Sequence, residues 1–304
     1  MRRPWTVRRA KAAGVSALAG ILLLGGCGDP DSGAEAAPPA PSLARPRTTQ
    51  QHAPASPRET VEAPSVLYLG DSLATENQKV LGGLLRGELG ARYTSAPYSG
   101  TTLCDYLEGT GKNSLVPPRD KAAALVRRLR PDIVVLQFWG NAWYFTPCMG
   151  KITYDSRRSR YLSRYTADAR QLTEQIKRAG AKRVMWVLQG PDPITPDRIR
   201  RVNGIYEKQA AASGDLLADA GKAVSPAGAR YTWSQYLPCT TDEREHDGYC
   251  TQPGNGRTAL HLDKDYLHFC LAPATSKPRP CPVRSPGILR MARAITDAIG
   301  ARVR

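Results

Sequence analysis

Short apolar runs alternate with amphipathic segments from residue 65 to about residue 218 of the chain. Apolar runs bounded by turn-forming residues are typical of strands, whereas apolar residues at helical spacing are typical of helices. The predicted strands are residues 66–69, 93–96, 132–138, 183–188 and 215–218, and the predicted helices are residues 77–89, 117–130, 159–179 and 197–212.

This order of elements predicts an α/β fold. Residues 132–138 are almost uninterruptedly apolar, as in a strand covered on both faces of a parallel sheet. Strands that alternate with helices imply right-handed crossovers, so we expect a three-layer α/β/α sandwich with a mostly parallel, flavodoxin-like sheet. Residues 231–286 lack periodicity and predict irregular structure, and residues 286–299 predict a last amphipathic helix. We assign residues 64–304 to this domain.

The first 26 residues have the pattern of an export signal. Five cations precede an apolar segment, residues 12–24, that is too short to span a bilayer permanently. Its end, Leu24-Gly25-Gly26-Cys27, resembles a bacterial lipoprotein signal, which implies cleavage before Cys27 and lipid on that cysteine. An ordinary secretory signal with a chance cysteine is the alternative, and Sec and twin-arginine export both stay open.

Residues 27–63 predict a disordered tether. They repeat Ala-Pro and Pro-Arg and contain almost no large apolar residue, so they cannot bury a core. In a polyproline-like state, at ~3.1 Å per residue, their reach is at most on the order of 100 Å. We therefore expect an extracytoplasmic domain anchored through Cys27 to the outer face of the cell membrane.

The composition adds a basic surface. The formal charge of +16 falls to +11 once the five cations of the leader are removed. In an exported protein such a surface meets anionic wall polymer or lipid headgroups rather than nucleic acid. A solvated basic surface without a partner is the alternative interpretation, and we expect a monomer.

Cysteine usage predicts three disulfides. Besides Cys27 the chain has six cysteines, an even number in an exported protein. We favour sequential pairing: Cys104 and Cys148 each lie shortly after an apolar strand, and the other four lie in a Pro/Gly-rich region where short loops close at small entropic cost. A zinc site is the alternative, although the sequence has no Cys-x-x-Cys pair. The expected pairs are Cys104–Cys148, Cys239–Cys250 and Cys270–Cys281.

The chemistry-bearing residues begin where the first strand ends. Gly70-Asp71-Ser72 lies between a predicted strand and a helix, where a side chain is exposed beside free backbone N–H groups. Ser72 is therefore a candidate nucleophile, which needs a general base and a group that orients the base. A tight turn with a helix cap is the structural alternative.

The candidate base is His268, because Asp265 precedes it by three residues and can take its Nδ1–H. A purely structural Asp265–His268 pair is the alternative. The other histidines are weaker candidates: His52 lies in the tether, His246 among acidic residues, and His261 is expected to be structural or at the rim of the site.

Four short blocks together resemble the SGNH (GDSL-type) hydrolases. They are Gly70-Asp71-Ser72-Leu73, Gly100, Gly140-Asn141 and Asp265-x-x-His268, in that order along the chain. The resemblance implies Ser72 as nucleophile, His268 as base and Asp265 as its orienting carboxylate. It also implies an oxyanion hole made by the backbone N–H groups of Ser72 and Gly100 and the amide of Asn141, without metal or cofactor.

The third block departs from the family pattern Gly-x-Asn-Asp. Trp139 replaces its glycine and Ala142 its aspartate, so the placement of Asn141 is open, and Asn141 could instead cap the loop. The aromatic residues Trp139, Trp143, Tyr144 and Phe145 follow the same strand and are either core or pocket wall.

The expected function is a membrane-tethered serine esterase that removes short acyl groups from glycans or related esters. The same triad would also serve a lipase or phospholipase acting on lipid esters, or an acyltransferase. A non-catalytic lipoprotein that binds the cell wall is the alternative of a different class. Acyl length, the alcohol part of the ester and the choice between hydrolysis and transfer are not encoded in any residue that we can name.

Overall fold

The structure, a computed structural model, describes residues 63–143, 146–273, 275 and 279–303. The predictions for the leader, the lipidated Cys27, the tether with His52, and the aromatic residues Tyr144 and Phe145 lie outside these residues. Among the helices that are described, none is both long and apolar enough to cross a membrane.

The central sheet has five parallel strands in the order β2-β1-β3-β4-β5. Gly70, at the end of β1, pairs in register with Gln137, at the end of β3. The strand order reverses at β1, and in open sheets of this kind ligands bind at the carboxyl ends of the strands beside such a reversal. The strands are β1 Ser65–Gly70, β2 Arg92–Ser95, β3 Ile133–Gln137, β4 Arg183–Val187 and β5 Leu216–Ala218.

Helices cover both faces of the sheet. Alternate residues of β1 point to opposite sides: Leu67 and Leu69 pack with α2, α3 and α4, whereas Val66 and Tyr68 pack with α1 and α7. The predicted three-layer α/β/α sandwich is thereby confirmed. The helices are α1 Ser72–Leu89, α2 Ala122–Leu129, α3 Arg158–Arg178, α4 Pro196–Ser213, α5 Ala220–Ala223, α6 Thr241–Glu245 and α7 Pro286–Val303.

The first helix begins earlier than its apolar periodicity indicates. It starts at Ser72, directly after β1, because the side chain of Asp71 accepts a hydrogen bond from the N–H of Leu73 at 3.1 Å and caps the helix. The predicted second helix is divided into a short 3₁₀ turn, Pro118–Asp120, and α2, since Lys121 between them has an extended backbone.

The described residues between 231 and 286 are mostly irregular, but the prediction missed a small antiparallel pair, β6 Tyr236–Pro238 with β7 Arg257–Ala259, and the short α6. The structure forms the disulfides Cys104–Cys148, Cys239–Cys250 and Cys270–Cys281. Among the described residues, no group of three or more His, Cys, Asp or Glu side chains is arranged to hold a metal ion.

Gly70 lets β1 and β3 pass closely beneath Ser72. A Cβ at this position would lie 2.1 Å from the carbonyl oxygen of Gln137 and 2.5 Å from Cβ of Ala74. We expect Gly70→Ala to lower the free energy of unfolding by roughly 1–3 kcal/mol, because neither contact can relax without moving backbone. Gly87→Ala is the matched control: a Cβ on this exposed position of α1 meets nothing within 4 Å.

The control should gain about 0.5–1 kcal/mol, because alanine is the better helix former. Thermal unfolding followed by circular dichroism measures both variants. An unchanged melting temperature for Gly70→Ala would show that the two strands are not as close as described.

Candidate active site

Ser72 and His268 meet although 196 residues separate them in the chain. Ser72 is the first residue of α1, and its Oγ lies 3.0 Å from Nε2 of His268. His268 lies on the irregular segment that leads into α7, so this contact joins the edge of the sheet to the C-terminal region. Such a distance allows a hydrogen bond from the serine hydroxyl to the imidazole.

The carboxylate of Asp265 orients the imidazole from its other side. Both of its oxygens lie 3.1 Å from Nδ1 of His268, and one also accepts the N–H of His268 at 3.2 Å. A carboxylate accepts only, so the proton is on Nδ1 and Nε2 is left free to accept from Ser72. The structure therefore brings the three residues predicted as a triad into one hydrogen-bonded chain.

The surroundings of the triad set its protonation. Burial by itself lowers the pKa of His268, but the hydrogen bond to Asp265 and the negative charges of Glu76 and Asp265 outweigh it and raise this pKa to about 9. The bond to His268 in turn lowers the pKa of Asp265. An imidazole that is to accept a proton must be neutral, so these charges favour base catalysis on the alkaline side.

Three groups are expected at an oxyanion hole, and two of them, the backbone amides of Ser72 and Gly100, border the cavity beside the triad. One lies at a helix start and the other in a turn. Ser72 is the first residue of α1, so its N–H has no partner within the helix. Gly100 lines the pocket with a φ of 76°, a conformation that favours glycine. Both N–H groups therefore stay candidates for binding a negative charge beside the serine oxygen.

Asn141 also lines the pocket, but its amide is fully engaged within the protein. Its Nδ2 donates to the carbonyl oxygen of Thr101 at 3.0 Å and to a carboxylate oxygen of Asp71 at 3.2 Å, and its Oδ1 accepts from Nε1 of Trp143 at 3.1 Å. These partners fix which way the amide points. To bind an oxyanion, Asn141 has to share or exchange one of its two donated bonds.

The carboxylate of Asp71 joins the two loops of the site. It is completely buried; one oxygen caps Leu73, and the other accepts the N–H of Trp139 at 2.6 Å besides the amide of Asn141. Burial raises the pKa of Asp71 to about 6, although the hydrogen bonds from Trp139 and Leu73 act in the opposite direction. Asp71 therefore holds more than its own turn, as it also fixes the loop after β3.

The loop after β3 is supported from below by side chains that the family pattern does not include. The hydroxyl of Tyr206 donates to the carbonyl oxygen of Phe138 at 2.8 Å, and Tyr161 and Arg198 donate to that of Gly140 at 2.7 and 3.1 Å. Arg198 is itself buried and paired with Asp192 at 2.8 Å. These bonds place Gly140 and Asn141 despite the replacements at Trp139 and Ala142.

A cavity of about 380 Å³ opens over Ser72 and His268. Trp139 and Trp143 form part of its wall; Trp139 is buried, whereas Trp143 is 37% exposed. Another part of the wall comes from described residues at or beside the Cys270–Cys281 disulfide. Sequence reasoning missed this wall and Glu76. The four-residue spacing from Ser72 to Glu76 becomes a signal only with a helix that begins at Ser72, and the sequence predicts its start at residue 77. The wall residues are Cys270, Ala272, Pro273, Thr275, Arg279 and Pro282.

The two other described histidines have structural or surface positions. His261 is buried, its Nδ1 lies 2.8 Å from the carbonyl oxygen of His268, and burial lowers its pKa. His246 is exposed beside Asp242, at 3.4 Å. His261 therefore supports the backbone of the segment that carries His268.

Comparison with solved structures finds similar chains at low sequence identity. A catalytic mutant of an acetylxylan esterase from Geobacillus stearothermophilus is 18% identical, with 78% of this chain and 94% of that chain covered, at a TM-score of 0.46. The periplasmic domain of a lipopolysaccharide acetyltransferase from Salmonella ser. Paratyphi A is 13% identical, with 77% and 83% covered, at 0.47. No protein-family model matches the chain, and no curated protein sequence does.

Removal of the Asn141 amide tests its place at the site. We expect Asn141→Ala to lower kcat by roughly 10²–10³-fold with little change in KM, as is typical for the loss of one oxyanion donor. Asn203→Ala is the control, since it deletes another fully bonded buried amide, one held by the backbone of Gln189. Steady-state kinetics with para-nitrophenyl acetate measure both. Equal kcat in the two variants would remove Asn141 from the oxyanion hole.

Proposed function

We propose that the protein is a serine ester hydrolase of the SGNH type. The observation that carries the proposal is the hydrogen-bonded chain from Ser72 through His268 to Asp265 at the floor of an open pocket. A structural Asp–His pair needs no serine hydroxyl at 3.0 Å and no cavity above it. These three residues lie at the edge of the sheet where the strand order reverses, beside amides of a helix start and a turn, and this position also supports acyl chemistry.

The chemistry follows from the proton positions. His268 Nε2 takes the proton of the Ser72 hydroxyl while Oγ attacks the ester carbonyl, and the negative charge that develops is bound by the amides of Ser72 and Gly100, together with Asn141 if it shares one of its bonds. The imidazolium then protonates the leaving alcohol. Water, activated by the same imidazole, attacks the acyl-enzyme and releases the acid. These reaction steps need no metal or cofactor.

The proposed setting is the outer face of the cell membrane, with the lipid on Cys27 as anchor. Three disulfides within the domain support an oxidising compartment. Short acyl esters on glycans of the wall or surroundings are the proposed substrates, since a tethered, basic domain meets these polymers first. The hydrolysis of lipid esters and acyl transfer to a sugar hydroxyl use the same triad and are separated by their products.

An active-site probe tests the proposal directly. A fluorophosphonate should label the wild-type protein and fail to label Ser72→Ala, because only an activated serine hydroxyl reacts with it. Ser163→Ala, which removes an exposed hydroxyl on α3, should be labelled as the wild type is. Absence of labelling in the folded wild type would leave a non-catalytic binding protein.

The lipid anchor is tested separately by fractionation. We expect Cys27→Ser to move the protein from the membrane fraction to the medium, because no acyl chains then hold it, and to leave turnover of a soluble ester unchanged. Immunoblots of the two fractions, with metabolic labelling by an alkyne fatty acid, measure this. A Cys27→Ser protein that stays in the membrane fraction would contradict the anchor.

A further inference from the structure

Glu76 borders the site but has no part in the triad. It lies one helical turn after Ser72 on α1, and residues four apart share a face of a helix. Its side chain lines the same cavity as Ser72 and His268. A carboxylate in such a partly buried place is costly unless it is bonded, so its contacts indicate what it does.

Both the side chain and the backbone of Glu76 bind the segment that carries the base. Its Oε2 accepts the N–H of Phe269, the residue after His268, at 3.2 Å. Its carbonyl oxygen accepts the N–H of Cys281 at 3.2 Å. One residue of α1 thereby holds the two ends of the loop that the Cys270–Cys281 disulfide closes.

We propose that Glu76 is a positioning residue for His268: it ties the loop that carries the imidazole to the helix that carries Ser72, and it adds a second carboxylate beside that of Asp265. The inference rests on the proposed hydrolase function. The inference goes beyond that function by assigning to Glu76 both the placement of the base and the pH at which the base works.

The charged groups around His268 come from several elements. Asp265 lies on the same segment as His268, and Asp71 and Glu76 lie at the start of α1. His261 contacts the carbonyl oxygen of His268, and Arg279 lines the same cavity. The charge of Glu76 raises the pKa of His268. Burial raises the pKa of Glu76 itself to about 7, so this carboxyl is ionised over the alkaline range in which the imidazole loses its proton.

The sign of the effect follows. The base must be neutral, so kcat/KM rises with pH through the pKa of His268, which is about 9. Without the Glu76 charge the imidazolium is less favoured, and the rise moves to lower pH. We expect a downward shift on the order of one pH unit, which is about a tenfold gain in neutral imidazole on the acid side of the rise.

The test compares Glu76→Gln and Glu76→Ala in the full-length protein. Glutamine keeps an acceptor for the N–H of Phe269 and removes only the charge, whereas alanine removes both. Glu88→Gln is the matched control, because it neutralises an exposed carboxylate farther along α1, 3.6 Å from Arg293. kcat and KM for para-nitrophenyl acetate are measured from about pH 6 to about pH 10, with Ser72→Ala subtracted as the blank.

The proposal expects the shifted profile in Glu76→Gln at near wild-type maximal kcat, a further loss of roughly 10- to 100-fold in kcat for Glu76→Ala, and no change in Glu88→Gln. An unshifted profile in a folded Glu76→Gln overturns the electrostatic role. Equal maximal kcat in the Gln and Ala variants overturns the tie to the loop. Fluorophosphonate labelling of the wild type separates these results from failure of the hydrolase proposal, which would abolish labelling in every variant.

Discussion

A single buried carboxylate, that of Asp71, joins the start of α1 and the loop after β3 into one site. It caps α1 and at the same time binds the N–H of Trp139 and the amide of Asn141. A pKa raised to about 6 means that ionisation in the folded state costs on the order of 3 kcal/mol. Because the folded carboxyl holds its proton more tightly than the unfolded one, whose pKa is 3.8, the folded state loses stability as the pH rises from that value through about 6. In its buried place the carboxylate of Asp71 fixes the position of the loop after β3.

The base is held by different means. His268 belongs to a segment without regular structure, and its neighbours are fixed by packing and by short cross-links. The ring of Phe269 packs 4.5 Å from that of His261, and a Cβ on Gly287 would come within 2.5 Å of it. The disulfide and the bonds to Glu76 then close the segment over the pocket. The nucleophile thus sits on the rigid sheet edge, while the base depends on an irregular loop, the class of element that opens locally most readily.

These two kinds of support explain what the sequence could and could not predict. Each of the strands β1, β3 and β4 contains a run of four apolar residues, 66–69, 133–136 and 184–187, and such a run predicts burial on both faces of the sheet. The start of α1 was predicted five residues late, because Leu73, Ala74 and Thr75 fit a helix only once Asp71 is known to cap it. The strands β6 and β7 have three residues each, too few to show an alternation. Ser72 is predicted from the turn between a strand and a helix, and Asp265 and His268 from their three-residue spacing. Glu76 lies before residue 77, where the predicted helix begins, and its contact with the distant Phe269 is not visible in the sequence.

The replacements in the third block become understandable in the same terms. An aspartate at position 142 would bring a further charge into a loop that already surrounds the buried carboxylate of Asp71. Here the loop is held through its carbonyl oxygens by neutral hydroxyls and by Arg198, whose charge is balanced by Asp192. The guanidinium also lies 5.5 Å from the ring of Trp139 and 5.7 Å from that of Trp143. The indole of Trp139, which stands where the family pattern has glycine, is therefore part of the support for the loop, together with the indole of Trp143.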